Sequence, residues 1–350
     1  MAINLAAKYS DKILTYFTQA SIMKGMGNND YSFEGVKTVK IYTPVTIPLG
    51  DYTRSGANRY GTPVEMQDTL QELTMTQDKG FALTIDKGNN MEQLNIKGAA
   101  RMLRLQIDER VIPEYDKYVL GKLVVNAGLS AAASAALTKS NIAETIAGAL
   151  TAQDNKFVPQ TGRIILIPST KYNMLRLSPE FIGNDHLGKT SLVKGQVGEF
   201  MNCRVVKIPD SYVADNVNFM IVLNKSFTAP WKLNDTKIHK DPPGLNGDLL
   251  EGRFMWDAFV LGAKADGIYV SGASGSKQAA PTITISSNSA TVASTGADKI
   301  LYTLDGSDPR YSDSAQVYAS AVTMAAGETI KAVAYKAGSL TSDVAEKANS

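Results

Sequence analysis

Between residues 36 and 65 the chain reads VKTVKIYTPVTIPLGDYTRSGANRYGTPVE, and this stretch constrains the fold more than any other. An alternating strand is expected over 36–42. Prolines follow at 44, 48 and 63, and Gly50, Ser55, Gly56, Asn58 and Gly61 form a turn-rich tip. A segment this long, with few apolar residues at its tip, cannot pack on its own chain. Loops of this length are functional or are ordered by a partner.

The flanking segments predict regular structure. Ile3, Ala6, Ile13, Leu14 and Phe17 would line one side of a short arm helix over 3–17, ended by the polar stretch KGMGNNDYSFEG. LQELTMTQDKGFALTID reads as a hairpin turning at Asp78-Lys79-Gly80. Asn89 or Asn90 is positioned to cap a helix whose apolar stripe runs through Leu94, Met102, Leu105 and Ile112. Pro113 should kink or restart it, with Tyr115, Tyr118, Val119 and Leu123 carrying the period to about residue 127.

Residues 128–262 read as mixed α/β, with an Ala-rich helix over NIAETIAGALTAQD and strands at RIILI, CRVVKI, NFMIVLN and MWDAFVLGA. SGASGSKQAA at 271–280 has the composition of a flexible tether. Beyond it TITISS, SATVAS, KILYTLD, AVTM and TIKAVAYK are short strands with alternating pattern, predicting a small all-β sandwich.

Composition excludes several function classes. The chain has 350 residues, 36 Lys and Arg against 34 Asp and Glu, two histidines and one cysteine. That length and an apolar content of 44% suit two or so domains with real cores. Balanced charge argues against a polycation binding nucleic acid in bulk. Cys203 alone can form no disulfide framework or thiolate cluster, and its MNCRVV setting predicts a buried, inert thiol. His186 and His239 stand apart, outside any metal-ligand or triad spacing. No catalytic residue, metal site or cofactor is therefore expected. The N-terminus lacks the pattern of a secretory signal, and no apolar run is long enough to span a bilayer.

One motif points the other way. GNDHLGKT, residues 183–190, spells a phosphate-binding P-loop, which needs a buried strand before it and a helix starting at the Lys-Thr. The preceding KYNMLRLSPEFI has helical spacing broken by Pro179, the following SLVKGQVGEFM carries Gly195 and Gly198, and NFMIVLN ends without a magnesium-binding Asp. A polar loop using Gly183, Asn184 and Gly188 for turns fits better.

The order of arm, long loop, FALTID, RVIPEYDKYV, GQVGEFMNCRVVKIPDSYV and LLEGRFMWDAFVLGAKADGIYV resembles the major capsid proteins of tailed bacteriophages. The resemblance covers roughly residues 1–270 and implies an α+β fold of the Hong Kong 97 type. It implies an arm (1–35), an extended loop (36–70) over a neighbouring subunit, and a peripheral domain with a spine helix (71–127) and returning strands (251–270). An axial domain would occupy 128–250. After a linker at 271–280, residues 281–350 resemble the immunoglobulin-like domain at the C-terminus of chitobiase-type hexosaminidases, chiefly through YTLDGSDP, Tyr302 to Pro309, and TIKAVAYK. Asp305-Gly306 and Asp308-Pro309 read as turn residues in preference to calcium or sugar ligands.

The resemblance implies a structural protein, not an enzyme, assembling with itself into hexamers and pentamers of an icosahedral shell around dsDNA. Scaffolding, portal and cement proteins would be partners, no membrane would be involved, and the location would be the virion, built in the host cytoplasm. Tyr52, Arg54, Arg59 and Tyr60 are the subunit-interface candidates, because Arg and aromatic side chains dominate binding energy. Lys8, Lys12, Lys97 and Arg101 are the candidates for facing DNA. The terminal domain would be displayed outside, with weak glycan contact. Some relatives weld subunits through a loop Lys, yet from Ile41 to Asp78 this chain has none. Two alternatives stay open: an extracellular carbohydrate-binding or adhesin protein, and another virion component such as a tail or fibre subunit.

Overall fold

VNFMIVL is apolar at every position but Asn218, and such a run suits a strand covered on both faces. In the computed structural model, which describes residues 20–33, 37–47, 49–93, 97–179 and 196–349, it lies inside a six-stranded sheet. Ahead of that sheet come β1 (Thr38–Pro44), β2 (Asp68–Thr74), β3 (Gln77–Asp86) and the helices α1 (Lys87–Glu92), α2 (Ala99–Gln106) and α3 (Ile112–Val125). Then follow β4 (Leu129–Ala132), α4 (Ile142–Asp154), β5 (Arg163–Pro168), α5 (Ser169–Arg176), β6 (Gln196–Phe200), β7 (Cys203–Ile208) and β8 (Val217–Leu223). After β9 (Phe227–Thr228), β10 (Trp231–Lys240), β11 (Gly247–Trp256) and β12 (Phe259–Val260), β13 (Ile268–Gly272) returns to complete the sheet. Its order is β4-β13-β8-β5-β7-β6.

Alternation along the central strands divides two cores. Ile164, Leu166, Met220, Val222, Ile268 and Val270 pack with Tyr115, Val119, Leu120 and Leu123 of α3. Ile165, Ile167, Phe219, Ile221 and Val205 point the other way, onto Ile142, Ile146 and Ala149 of α4 and Tyr172 and Leu175 of α5. The result is a three-layer helix–sheet–helix unit. Cys203 is buried in the second core, and burial pushes its thiol pKa up, as an inert cysteine requires.

The long helix is nearly continuous but changes its winding. Between α2 and α3, Ile107–Val111 forms a π-helical turn just before Pro113. A proline cannot supply the N–H that an unbroken α-helix needs, and the wider turn accommodates it without a break. The cap is not at Asn89 or Asn90: the Asp86 carboxylate accepts the Asn89 N–H at 2.9 Å. Asn90 instead ties both backbone groups of Lys97, at 3.0 and 3.3 Å.

The hairpin expected over 70–86 is not formed. β2 pairs with β1, whereas β3 pairs with β11, in a sheet of order β10-β11-β3. Asp78, Lys79 and Gly80 lie inside β3, opposite Met255, Phe254 and Arg253. Arg253 donates to both Asp78 oxygens, at 3.0 and 2.6 Å, and holds that carboxyl below its ordinary range. Thr76, between the two strands, is pinned by Asp257 through its N–H and its hydroxyl, at 2.8 and 2.9 Å.

Residues 271–280 do not form a loose tether. Ser271 and Gly272 complete β13, and Gln278, buried, donates its N–H to the Leu340 carbonyl at 3.0 Å. The sandwich follows as β14 (Thr282–Ser286), β15 (Ser289–Ala293), β16 (Lys299–Thr303), β17 (Gln316–Val317), β18 (Val322–Thr323), β19 (Thr329–Tyr335) and β20 (Ala345–Ala348). Sheets of order β14-β15-β18 and β17-β16-β19-β20 enclose Ile283, Val292, Tyr302 and Ile330.

The described part of the arm, from residue 20, is packed into the first core. Ile22 and Met23 are buried, and Asp116 of α3 holds the turn that presents them. Its carboxylate accepts from Ser21 Oγ at 2.6 Å, Ile22 N at 2.9 Å and Met23 N at 3.2 Å. Burial nonetheless raises its pKa, against the pull of those three donors. Asp116→Ala strands three donors, so we expect a loss of about 2–3 kcal/mol in denaturant unfolding and faster proteolysis near Lys24.

Candidate subunit interface

The extended loop begins as a regular ribbon. β1 and β2 pair from Thr38↔Thr74 to Pro44↔Asp68, and one further bond, Val45 N–H to the Gln67 carbonyl at 2.7 Å, continues the ladder. Its root is fixed. Leu73, Met75, Phe33 and Leu261 form a small buried cluster, with Val39 and Ile41 against it. Gln71 donates to the Val260 carbonyl at 2.8 Å and accepts from Gly262 N at 2.9 Å.

Beyond the root nothing covers it. Every described residue from Pro44 to Asp68 is exposed. Among the described residues, seven of the sixteen exposed large hydrophobic side chains lie in this one segment, Val45, Ile47, Leu49, Tyr52, Tyr60, Val64 and Met66, and an eighth, Tyr42, lies just before it on β1. A concentration of that kind marks an interaction surface.

The four residues expected at the tip come together there. Thr53 N–H reaches the Arg59 carbonyl at 3.0 Å, closing the tip across Gly56 and Asn58, both at positive φ. That closure sets Tyr52 and Tyr60 edge to face, with ring centroids 5.0 Å apart. Arg59 Nε donates to the Gly56 carbonyl at 3.3 Å, and Arg54 is exposed beside them. The selection of polar and aromatic tip residues missed Val45, Ile47, Leu49, Val64 and Met66 along the limbs. Their signal was the alternation in PVTIPL for the first three and in VEM for the last two. Phe157 is a separate candidate: it is 95% exposed and holds a left-handed φ of 57°, unusual for a bulky side chain.

The basic candidates are less convergent. Arg101 is exposed on α2 near Arg104, which pairs with Asp108 at 3.6 Å, and Lys97 lies just ahead of the helix, half-buried. Lys8 and Lys12, the arm helix, His186 and GNDHLGKT lie outside the described residues. The surroundings of that motif do not supply a P-loop setting. β5 runs directly into α5, and β8 is followed by a 3-10 turn, Asn224–Ser226. Among the described residues no group of His, Cys, Asp and Glu is placed to hold a metal, and no helix is long and apolar enough to cross a membrane. His239 pairs with Glu251 at 3.1 Å on an exposed strand.

Comparison with solved structures identifies the architecture. A chain from a structure described as Mycobacterium phage Che8 aligns with a TM-score of 0.63 at 19% identity, covering 77% of this chain and 98% of that one. The capsid of cyanophage P-SCSP1u aligns at 0.61 and 15% identity, covering 77% and 93%. The mature capsid of bacteriophage PhiM1 aligns at 0.61 and 12%, covering 78% and 93%. The chain has the Hong Kong 97-type fold of phage capsid proteins, followed by a β-sandwich domain. The family described as "Fn3 associated" matches residues 283–348, in keeping with an immunoglobulin-like domain. A sequence search among curated proteins finds no relative.

Since the ribbon beyond residue 44 buries nothing in its own chain, Leu49→Ala and Tyr60→Ala should each leave unfolding of the isolated chain within about 0.5 kcal/mol of the parent. Chemical denaturation followed by tryptophan fluorescence checks this.

Proposed function

We propose that this chain is the major capsid protein of a tailed bacteriophage, a structural protein that builds a closed icosahedral shell around packaged dsDNA. The observation that carries the reading is the uncovered ribbon, set on a fold shared with phage capsid proteins. A solitary two-stranded ribbon is marginal in water. One whose limbs carry Val45, Ile47, Leu49, Val64 and Met66 is completed by lying on a second copy of the chain. Contacts of the usual size, about 800 Å² per partner, repeated by symmetry, hold such a particle without any one strong bond.

In this reading Tyr52, Arg54, Arg59 and Tyr60 anchor the tip on the neighbouring subunit, the arm and α2 contribute Lys8, Lys12, Lys97 and Arg101 toward DNA, and the terminal domain faces outward. The protein belongs to the virion, is assembled in the host cytoplasm, and has no catalytic role. Scaffolding, portal and cement proteins are the expected accessory partners. Glycan contact through the terminal domain gains little support. Tyr302 and Tyr318 pair edge to face with each other, and Tyr311 hydrogen-bonds the shell, so these three rings are engaged within the chain.

Light scattering with negative-stain microscopy tests assembly. The full chain, with scaffold supplied if required, should form shells or ring-shaped capsomers, and Tyr52→Ala/Tyr60→Ala should remain folded yet lose at least about tenfold in assembly yield. A monomer under every condition, scaffold included, would contradict the proposal. With no Lys between Ile41 and Asp78 to join covalently, particles boiled in denaturant should run as one band of 37.6 kDa.

A further inference from the structure

The helix α3 does not finish its own C-terminus. Residue Asn126 follows it at φ −106°, and none of residues 126–128 takes the positive φ by which helices commonly close on themselves. Gly128 is held against the turn at Ala265, so closely that a Cβ there would lie 2.2 Å from the Ala265 carbonyl carbon. The last turn closes with the Asn126 N–H on the Lys122 carbonyl, and the carbonyls of Val125 and of the three residues after it lie at the negative end of the helix dipole.

All four find donors in the terminal domain. Thr341 Oγ1 donates to the Val125 carbonyl at 2.5 Å and Tyr311 Oη to that of Asn126 at 2.8 Å. Arg310 donates from Nη1 to the Ala127 and Gly128 carbonyls at 2.7 and 3.2 Å. Its guanidinium is aimed by Asp308, which takes Nη2 at 2.7 Å and Nε at 3.1 Å. The Arg310 side chain is only 10% exposed. Burial works against its charge, but the Asp308 bond and charge outweigh it, and the net pKa is raised. DPRY, whose aspartate could be read as a ligand or a turn former, is thereby occupied.

A second set of contacts agrees. Leu340, from the turn after β19, is fully buried in the first core beside the shell's own residues. Lys277 Nζ donates to the Ser130 carbonyl and to Asp343, both at 2.6 Å. Asn216 donates to the Gly338 carbonyl at 2.8 Å. At the root of the extended loop, Asp313 N–H reaches the Leu70 carbonyl at 3.2 Å, and Tyr311 lies against Gly262.

We infer that the Asp308–Tyr311 turn and Thr341 form an intramolecular docking surface whose partner is the carboxyl end of α3, so that the terminal domain folds with the shell as one unit and braces the root of the extended loop. This rests on no part of the capsid reading, and its test needs no assembly.

Both tryptophans, Trp231 and Trp256, lie in the shell, so their fluorescence reports shell unfolding alone. In the full chain, Arg310→Ala should lower the tryptophan-reported midpoint by about 5 °C or more. Tyr311→Phe/Thr341→Val, which removes two hydrogen bonds with little change of shape, should lower it by about 3 °C and serves should Arg310→Ala fail to fold. Trypsin should cut after Lys277 slowly in the parent and at least about tenfold faster in the variants. A midpoint unchanged in the double variant, or rapid cleavage after Lys277 in the parent, overturns the inference.

Discussion

A two-stranded ribbon pairs its backbone groups but has nothing behind either face, so its apolar side chains stay in water until something covers them. Every part of this fold is arranged around that constraint. The ribbon's root is held by the Leu73–Met75–Phe33–Leu261 cluster and by both amide groups of Gln71, while the limbs beyond Pro44 have no intramolecular contact of that kind. The chain invests its burial elsewhere and leaves one element to be completed from outside. On the proposed capsid reading this has a purpose, because the same exposed surface, presented by every copy, becomes an interface on each of them.

The rest of the molecule gives the ribbon a stiff base. The six-stranded sheet is sealed by α3 on one face and by α4 and α5 on the other. Tyr115, Trp231, Trp256 and Phe254 meet in tilted and edge-to-face contacts where the long β10–β11 pair leaves this core, with Tyr115 and Trp231 centroids 4.6 Å apart. Asp257 ties three elements at that corner: it accepts from Thr76 on the way into β3 and, at 2.8 Å, from Tyr118 of α3. Burial and that carboxylate push the Tyr118 phenol up to about 12, so it remains a donor at any ordinary pH. The terminal domain, docked on the end of α3 and on Leu70, extends the same base toward the loop root.

Elements whose patterning is local were legible in the sequence. The runs RIILI, CRVVKI and NFMIVLN, and the Ala-rich helix at 142–154, form where their periodicity places them, because burial on two faces or one leaves a clear signal. The hairpin at 70–86 failed for a non-local reason. Asp78-Lys79-Gly80 has turn chemistry, but β11, far along the chain, pairs with the segment from Gln77↔Trp256 to Asp86↔Gly247 and holds it as a straight strand, with the Arg253–Asp78 pair on its exposed edge. The tether at 271–280 failed likewise: Gly and Ser indicate flexibility only when no partner is near, and here β8, Ser130 and Leu340 take up its backbone and side chains. At the candidate site, tip residues were found by type, and the limb residues were passed over because the signal lay in alternation through prolines. No local pattern marks the docking of Arg310 on α3.

Hydrogen–deuterium exchange of the extended loop, comparing the isolated chain with the assembled particle, tests most directly whether the ribbon is completed by a neighbouring copy. Amides across 44–68 should exchange freely in the isolated chain and become strongly protected on assembly, while β5 and β8 are protected equally in both. Equal exchange of 44–68 in the two states would contradict that, since the ribbon would then have gained no cover and could not be what joins one copy to the next.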